Sequence, residues 1–306
     1  MSGAGELTTI LYRGPLASCN YGCTYCPFAK RIDSDAQLET DRAALTRFVR
    51  RVEEIAESRR LRVLFTPWGE ALTRRWYRDA IVRLSHRIDR VAVQTNLAAG
   101  SRWLADARSG HVGFWAAWHP SDTTLAGFVR RVDGVLAQGA TISVGTVISA
   151  ETAERALELH AAISDRAAVW LNPQAPLRRR FTGEQVERLT AIDPHFPHGL
   201  VRHRSRGRLC DAGQRSFTVD GRGRMRRCHF VDEVIGDFYA NDWAQSLQTR
   251  PCPRPGCDCF VGFSQLRDLP IAEAMGDGLL ERNPRLPSLG QTPWAIERDL
   301  LASVST

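Results

Sequence analysis

Apolar positions in the first 190 residues fall into two alternating rhythms. Short runs rich in β-branched and aromatic residues, at 7–12, 61–66, 90–95, 112–118, 141–148 and 167–172, have the length and composition of strands. Longer stretches between them carry apolar residues at helical spacing. Leu45, Phe48, Val49, Val52 and Ile55 mark one face of a helix within 40–59, and similar patterns predict helices over 77–88, 124–137, 152–164 and 183–192. Strand and helix in regular alternation imply a parallel sheet with crossover helices. Six such units are fewer than the eight of a closed barrel, so the expected fold class is α/β, a partial (β/α)6 TIM-like barrel.

Prolines, glycines and charges break the rhythm around 194–208. A boundary placed there gives a barrel over 1–193, a small α+β unit over 194–266 and a C-terminal tail over 267–306. In the small unit, 215–219 and 224–228 flank Asp220-Gly221-Arg222-Gly223. This reads as a β-hairpin, because an Asp-Gly pair supplies the positive φ that a tight turn needs. A short helix is predicted over 242–248, and the tail carries little pattern.

With 43% hydrophobic and 25% charged residues among 306, the chain is a folded globular one, which excludes disorder, collagen and coiled coil. No apolar run approaches the roughly 18 residues of a spanning helix, and the start lacks a secretion-signal pattern. A cytoplasmic protein without membrane contact is the expectation. The net charge of +7 is concentrated: 178–227 holds thirteen arginines against five acids, and the rest is close to neutral. Such a patch suits nucleic acid or another anion, or it balances negative metal-thiolate groups close by.

The eight cysteines form two groups with none in the 183 residues between them. Cys19, Cys23 and Cys26 follow the first strand in Ser18-Cys19-Asn20-Tyr21-Gly22-Cys23-Thr24-Tyr25-Cys26-Pro27. A zinc site needs four protein ligands, whereas three thiols on one loop serve an iron–sulfur cubane and leave its fourth iron open. An open iron can chelate the amino and carboxylate groups of S-adenosylmethionine. Zinc or a simple electron-transfer cluster is the competing reading. Lys30, the only lysine beside forty arginines, lies four residues past Cys26, where its ammonium could pair with a carboxylate of cofactor or substrate.

The three-then-two spacing, with an aromatic before the third cysteine, resembles the signature of the radical S-adenosylmethionine superfamily. The resemblance covers roughly residues 7–192. It implies a SAM-binding 4Fe-4S cluster on Cys19, Cys23 and Cys26, reductive cleavage of S-adenosylmethionine to a 5′-deoxyadenosyl radical, and an electron donor such as flavodoxin or ferredoxin. It further implies that Gly69 and Glu70 take the methionine amino group, Thr95 and Asn96 contact the ribose or carboxylate, and Tyr25 lies beside the adenine. Trp68 departs from the family pattern by standing where its first glycine would be. A looser match at 145–151 falls where the family contacts adenine.

Cys210, Gly223 and Cys228, spaced by twelve and four residues, resemble the first half of the auxiliary-cluster domains called SPASM and twitch. Cys252, Cys257 and Cys259 follow, too few for the longer form. The resemblance implies a second, auxiliary 4Fe-4S cluster held by Cys210, Cys228 and two of the last three, with one thiol to spare. A zinc ribbon is the alternative. At closer range the opening Leu11-Tyr12-Arg13-Gly14-Pro15-Leu16 and the Cys-Pro-Phe-Ala-Lys-Arg and Cys-Asp-Cys-Phe-Val-Gly runs are similar to one bacterial radical S-adenosylmethionine subfamily.

A barrel places its substrate at the carboxyl ends of its strands, where Trp115, Trp118, His119, Asn172 and Gln174 stand as candidates, His119 for catalysis. The preferred reading is an enzyme abstracting a hydrogen atom from a small polar metabolite. A second is a maturase of a ribosomally made peptide; with the first strand beginning near Leu7, its substrate would need a separate recognition partner. A third is RNA modification through the arginine patch, which no aromatic-rich recognition motif accompanies; nucleic acid is therefore not the expected partner.

Overall fold

A computed structural model of the chain describes residues 7–28, 31–175 and 180–284. The predicted alternation is present: β1 Thr8–Arg13, α1 Asp35–Ala56, β2 Leu61–Phe65, α2 Arg75–Ser85, β3 Arg90–Thr95, β4 Val112–Trp118, α3 Leu125–Leu136, β5 Thr141–Ile148, α4 Glu154–Ile163, β6 Ala168–Pro173 and α5 Gly183–Ile192. Helix starts follow local capping chemistry. Ser34 with Gln37 and Thr182 with Gln185 form reciprocal capping boxes on α1 and α5, and the Thr124 hydroxyl accepts from Gly127 N on α3.

Past the barrel come α6 Phe196–Leu200, β7 His203–Arg204, β8 Ser216–Asp220, β9 Arg224–Arg226, β10 Val234–Asp237, β11 Gly256–Cys257, α7 Phe260–Phe263 and α8 Ile271–Met275. The hairpin read from the sequence is β8–β9, but the left-handed residue is Gly223, at φ 88°, and Gly221 is not left-handed. Asp220 Oδ1 closes the turn by accepting from the main-chain N–H groups of Arg222 and Arg224. The short helix expected at 242–248 is a single 3₁₀ turn, Trp243–Ser246.

One sheet of nine strands runs in the order β10-β9-β8-β1-β2-β3-β4-β5-β6. Strands β1 to β6 are parallel, and β8 pairs with β1 in parallel, Thr9 opposite Ser216. The hairpin after residue 194 therefore extends the barrel sheet. The physical reason is the open edge of β1, whose unpaired N–H and C=O groups call for a partner strand.

The two faces of the sheet are covered differently. Ile10, Tyr12, Val63, Phe65, Val91, Val93 and Phe114 pack outward into the largest core, which also holds Phe48 of α1 and Phe128 of α3. Trp118 belongs to this outer layer and donates its indole N–H to Thr123 O, which makes it a core residue and removes it from the mouth. On the other face Leu11, Leu64, Ala92, Trp115 and Trp170 meet Phe260, Phe263, Ile271, Met275 and Leu280.

The stretch after 267, where the sequence shows no clear pattern, thus contributes buried residues as far as Arg282. Its α8 has five residues, too few for a helical period to show. Two ion pairs tie it down at the inner face. Glu281, fully buried, pairs with Arg90, and the buried Arg282 meets Asp193 Oδ2 at 3.0 Å. Replacing Glu281 by Ala leaves Arg90 bonded only to the neutral Gly110 O and Thr141 Oγ1, with no carboxylate against its charge, so it should lower unfolding stability by about 3 kcal/mol. Chemical denaturation measures this, and a loss under about 0.5 kcal/mol, the size of an ordinary surface substitution, would show that the segment is not anchored there.

Candidate active site at the barrel mouth

Beyond β1 the chain crosses the carboxyl ends of the strands, and its course there is pinned atom by atom. Asp41, buried on α1, accepts from Leu16 N at 3.1 Å while Trp76 Nε1 and Tyr77 Oη also donate to it, at 2.8 and 3.1 Å. Asp33 Oδ2 accepts from Ala17 N, Ser18 N and Ser18 Oγ, each at 2.8 Å. Burial alone would raise the Asp33 pKa, but these hydrogen bonds outweigh it and hold the carboxyl below its usual value.

From the other side, Gly69 N donates to Leu16 O and Glu70 N to Ser18 O, both at 3.1 Å. The approach is so close that a Cβ on Gly69 would stand 2.0 Å from Ser18 O, which only glycine avoids. Glu70 is itself spoken for. Its buried carboxylate accepts from Leu72 N at 2.9 Å, Thr95 Oγ1 at 2.6 Å and Asn96 N at 2.7 Å, linking the ends of β2 and β3 beneath the loop. Burial raises its pKa and the three donors oppose that.

The loop so held carries the first cysteine group. Tyr21 N donates to Cys19 Sγ at 3.4 Å, and Asn96 Nδ2 lies 3.8 Å from that sulfur and 3.0 Å from Asn20 Oδ1. Cys23 Sγ is 3.1 Å from His119 Nδ1 and 3.3 Å from Asp122 Oδ2. Tyr25 Oη is 2.7 Å from the same Nδ1, with its ring parallel to the imidazole. Burial pushes the Cys23 thiol up to about 11, with Asp122 adding to it. Burial likewise raises Cys19 and Tyr25 and lowers His119, which in each case favours the uncharged form.

The structure therefore brings Cys19, Cys23, Tyr25, Asn96 and His119 to one mouth, and puts Gly69, Glu70 and Thr95 directly beneath them. Lys30, Arg178 and Arg179 lie outside the described residues. Asp33, Asp41 and Asp122 escaped the sequence reading, since single acids in loops and on helix faces form no motif.

Among the described residues no three His, Cys, Asp or Glu side chains converge on one point at metal-binding distance. Cys23 faces His119 and Asp122, while Cys26 acts electrostatically on Cys19. A thiol swings on one torsion, so the loop backbone decides whether three sulfurs can meet. Two observations fit a thiolate-bound cluster with a polar ligand beside it. All three sulfurs sit on a loop fixed by five main-chain hydrogen bonds, and Asn96 Oδ1, buried next to Cys19, has no partner of its own.

The second group resolves more sharply. Cys210, Cys228, Cys252 and Cys257 line one cavity with Arg227, Arg254, Phe230 and Gly262. Burial raises the thiols of Cys210 and Cys228 and brings Cys257 to about 12. Arg227, buried here, donates to Pro251 O and Arg250 O and lends positive charge to Cys210 and Cys228. This is a donor set suited to a soft metal. Cys259 is not in that lining; it precedes α7 and interacts electrostatically with Arg13 and Arg282. The arginine patch is partly consumed internally, since Arg224 and Arg226 turn to Asp220 and Arg208 to Asp268.

Removing the Asp33 carboxylate strips three donors near Cys19 of their acceptor, so Asp33→Ala should cost about 1–3 kcal/mol by thermal or denaturant unfolding. Because the folded pKa is depressed, this tie is complete above the unfolded value of about 3.9 and is lost as pH falls through the folded one. Wild type should therefore lose its margin over the variant below about pH 4, and a margin that grows on acidification would refute the assignment. Glu70→Gln should cost about 2 kcal/mol or more, because the amide NH2 must face a main-chain or hydroxyl donor. A stability equal to wild type would mean Glu70 is not the tie described.

No protein-family profile and no curated protein matches the chain. Solved structures do. Streptococcus suis SuiB superposes with a TM-score of 0.54 at 10% identity, covering 80% of this chain and 66% of that one. SuiB bound to S-adenosylmethionine gives 0.52 at 13%, covering 91% and 72%. His-tagged anSMEcpe with bound AdoMet gives 0.52 at 12%, covering 79% of each. These neighbours are radical S-adenosylmethionine enzymes, and the likeness at such identity is one of fold: this chain has their partial-barrel architecture.

Proposed function

We propose that the chain is a radical S-adenosylmethionine enzyme, with Cys19, Cys23 and Cys26 as ligands of the SAM-binding 4Fe-4S cluster. The observation that carries this is the three-thiol loop bolted to the carboxyl end of β1 in a fold shared with S-adenosylmethionine-bound proteins. Such a cluster and cofactor, when bound, supply an electron and a 5′-deoxyadenosyl radical that abstracts a hydrogen atom.

The chain's own residues have distinct tasks in this reading. Asp33, Asp41, Gly69 and Glu70 hold the loop rigid; they position ligands and do not react. Asn96 offers its unpaired Oδ1 to a donor on the cofactor, such as the methionyl ammonium. Tyr25 and His119 share one proton site at 2.7 Å beside Cys23 and present an uncharged, partly dry wall on the β4 side. Four thiols, Cys210, Cys228, Cys252 and Cys257, would hold an auxiliary cluster, leaving Cys259 as the spare.

A substrate presented to the mouth as a small polar metabolite remains the main reading, and a peptide is the second. The peptide reading has one point in favour, since SuiB bound to precursor peptide SuiA shares this fold, with a TM-score of 0.53. RNA is disfavoured by the internal pairing of the arginine patch.

Anaerobically reconstituted protein should carry about eight irons, and about four after Cys257→Ala, whereas Cys259→Ala should keep about eight. Equal iron loss in the two variants would refute the assignment of the spare thiol. Replacing Cys19, Cys23 and Cys26 together by Ala should abolish dithionite-dependent formation of 5′-deoxyadenosine, which chromatography measures. Turnover that survives the triple replacement ends the proposal.

A further inference from the structure

A cation at the end of β1 meets no acid among the described residues. Arg13 ends β1 and points to the inner face, its Nε donating to Thr66 O at 3.0 Å and its Nη2 to Thr66 Oγ1 at 3.3 Å. Thr66 in turn donates to Gln94 Oε1 on β3, which fixes the orientation of the whole fork. One edge of the guanidinium is thereby held by main chain and hydroxyl, and Nη1 makes no contact with an acceptor among the described residues.

No carboxylate faces it among the described residues, although Asp220 is its neighbour in register on β8. Asp220 is taken by Arg224 and Arg226 instead. Burial lowers the Arg13 pKa to about 10, with Cys259 pulling the other way. A half-buried guanidinium without a carboxylate is costly, and the cost is recovered when an oxyanion closes the fork with two parallel hydrogen bonds.

The surroundings give the rest of the ligand's outline. Trp68 lies face-on to the guanidinium at 4.1 Å, and Phe28 stands 6.0 Å away. The two rings touch at 4.8 Å between centroids and are the opposite of core residues, with Phe28 50% and Trp68 39% exposed. A rigid cation and an exposed aromatic shelf over it together make a site for a molecule that is anionic at one end and apolar at the other.

We propose that Arg13, under the shelf of Phe28 and Trp68, anchors a carboxylate of the substrate, with the substrate's apolar portion lying on the two rings. This names the chemistry of the substrate for the function proposed above and rests on that reading only for the word substrate. The binding itself is independent of S-adenosylmethionine cleavage. Trp68 also acquires a reason for standing where the resemblance places a glycine: it stacks on the anchor.

The same chemistry could come from the methionyl carboxylate of the cofactor, and calorimetry on the reconstituted full chain separates the two. The probes are 3-phenylpropionate, its uncharged counterpart 3-phenylpropanamide, and S-adenosylmethionine. Wild type should bind 3-phenylpropionate saturably below about 20 mM and bind the amide at least about tenfold more weakly. Arg13→Gln should lose that preference, Arg13→Lys should keep part of it as a point charge without the fork, and Trp68→Ala should weaken the acid while still favouring it over the amide. S-adenosylmethionine affinity should stay within about twofold in Arg13→Gln.

Equal binding of acid and amide by wild type, no saturation by either, or an unchanged preference in Arg13→Gln overturns the proposal. A tenfold loss of S-adenosylmethionine affinity in that variant also overturns it, by assigning the guanidinium to the cofactor. Should Arg13→Gln fail to fold, judged by circular dichroism, Arg13→Lys and Trp68→Ala carry the same comparison. Acid selectivity in a protein that never forms 5′-deoxyadenosine would leave the anchor standing and remove the function.

Discussion

The close passage of Gly69 across the main chain of Ser18 is the constraint on which the mouth of this barrel depends. Strand ends are joined there by hydrogen bonds that resemble one more rung of sheet, from Gly69 to Leu16 and from Glu70 to Ser18. The Glu70 carboxylate then turns inward and gathers donors from Leu72, Thr95 and Asn96. One residue therefore couples loop, β2 and β3, and the three thiols beyond it inherit their place from that junction. Its rigidity is bought by burying a carboxylate, which is tolerable because every approach to it is a donor.

The barrel's inner face tells a second story about burial. Trp115, Trp170 and Phe260 fill it with aromatic contacts at 5.4 to 5.8 Å, and Arg282 lies on Phe260 at 4.3 Å while reaching Asp193. The segment from α7 onward thus covers the inner face of the sheet, with Cys259 at its start. The hairpin that begins the second cysteine group is itself part of the barrel sheet, paired through β8 with β1.

How far the sequence could be read depends on whether information is local. Strands β3, β4 and β5 and helix α5 were legible to the residue, since β-branched runs and apolar residues at helical spacing declare themselves within a few positions. The cysteine box was legible for the same reason. The covering of the inner face was not: Ile271, Met275, Leu280 and Glu281 are scattered over short turns, and only the fold shows the first three in one apolar cluster and Glu281 against Arg90. Asp33 and Asp122 act across 15 and 99 residues of chain, on Ser18 and Cys23, and Arg13 matters through what it lacks. Contacts of that range leave no period in a sequence. The distinction between Cys259 and its four neighbours is similar, because a spacing of one residue from Cys257 says nothing about which way each thiol turns.

Electron paramagnetic resonance of the reconstituted, dithionite-reduced protein, recorded with and without S-adenosylmethionine, goes straight to the role of the three-thiol loop. If that loop holds a cluster with one iron left for the cofactor, adding S-adenosylmethionine must shift the g values of a signal that is missing when Cys19, Cys23 and Cys26 are replaced by Ala. A spectrum indifferent to S-adenosylmethionine, or one unchanged by the replacement, would contradict it.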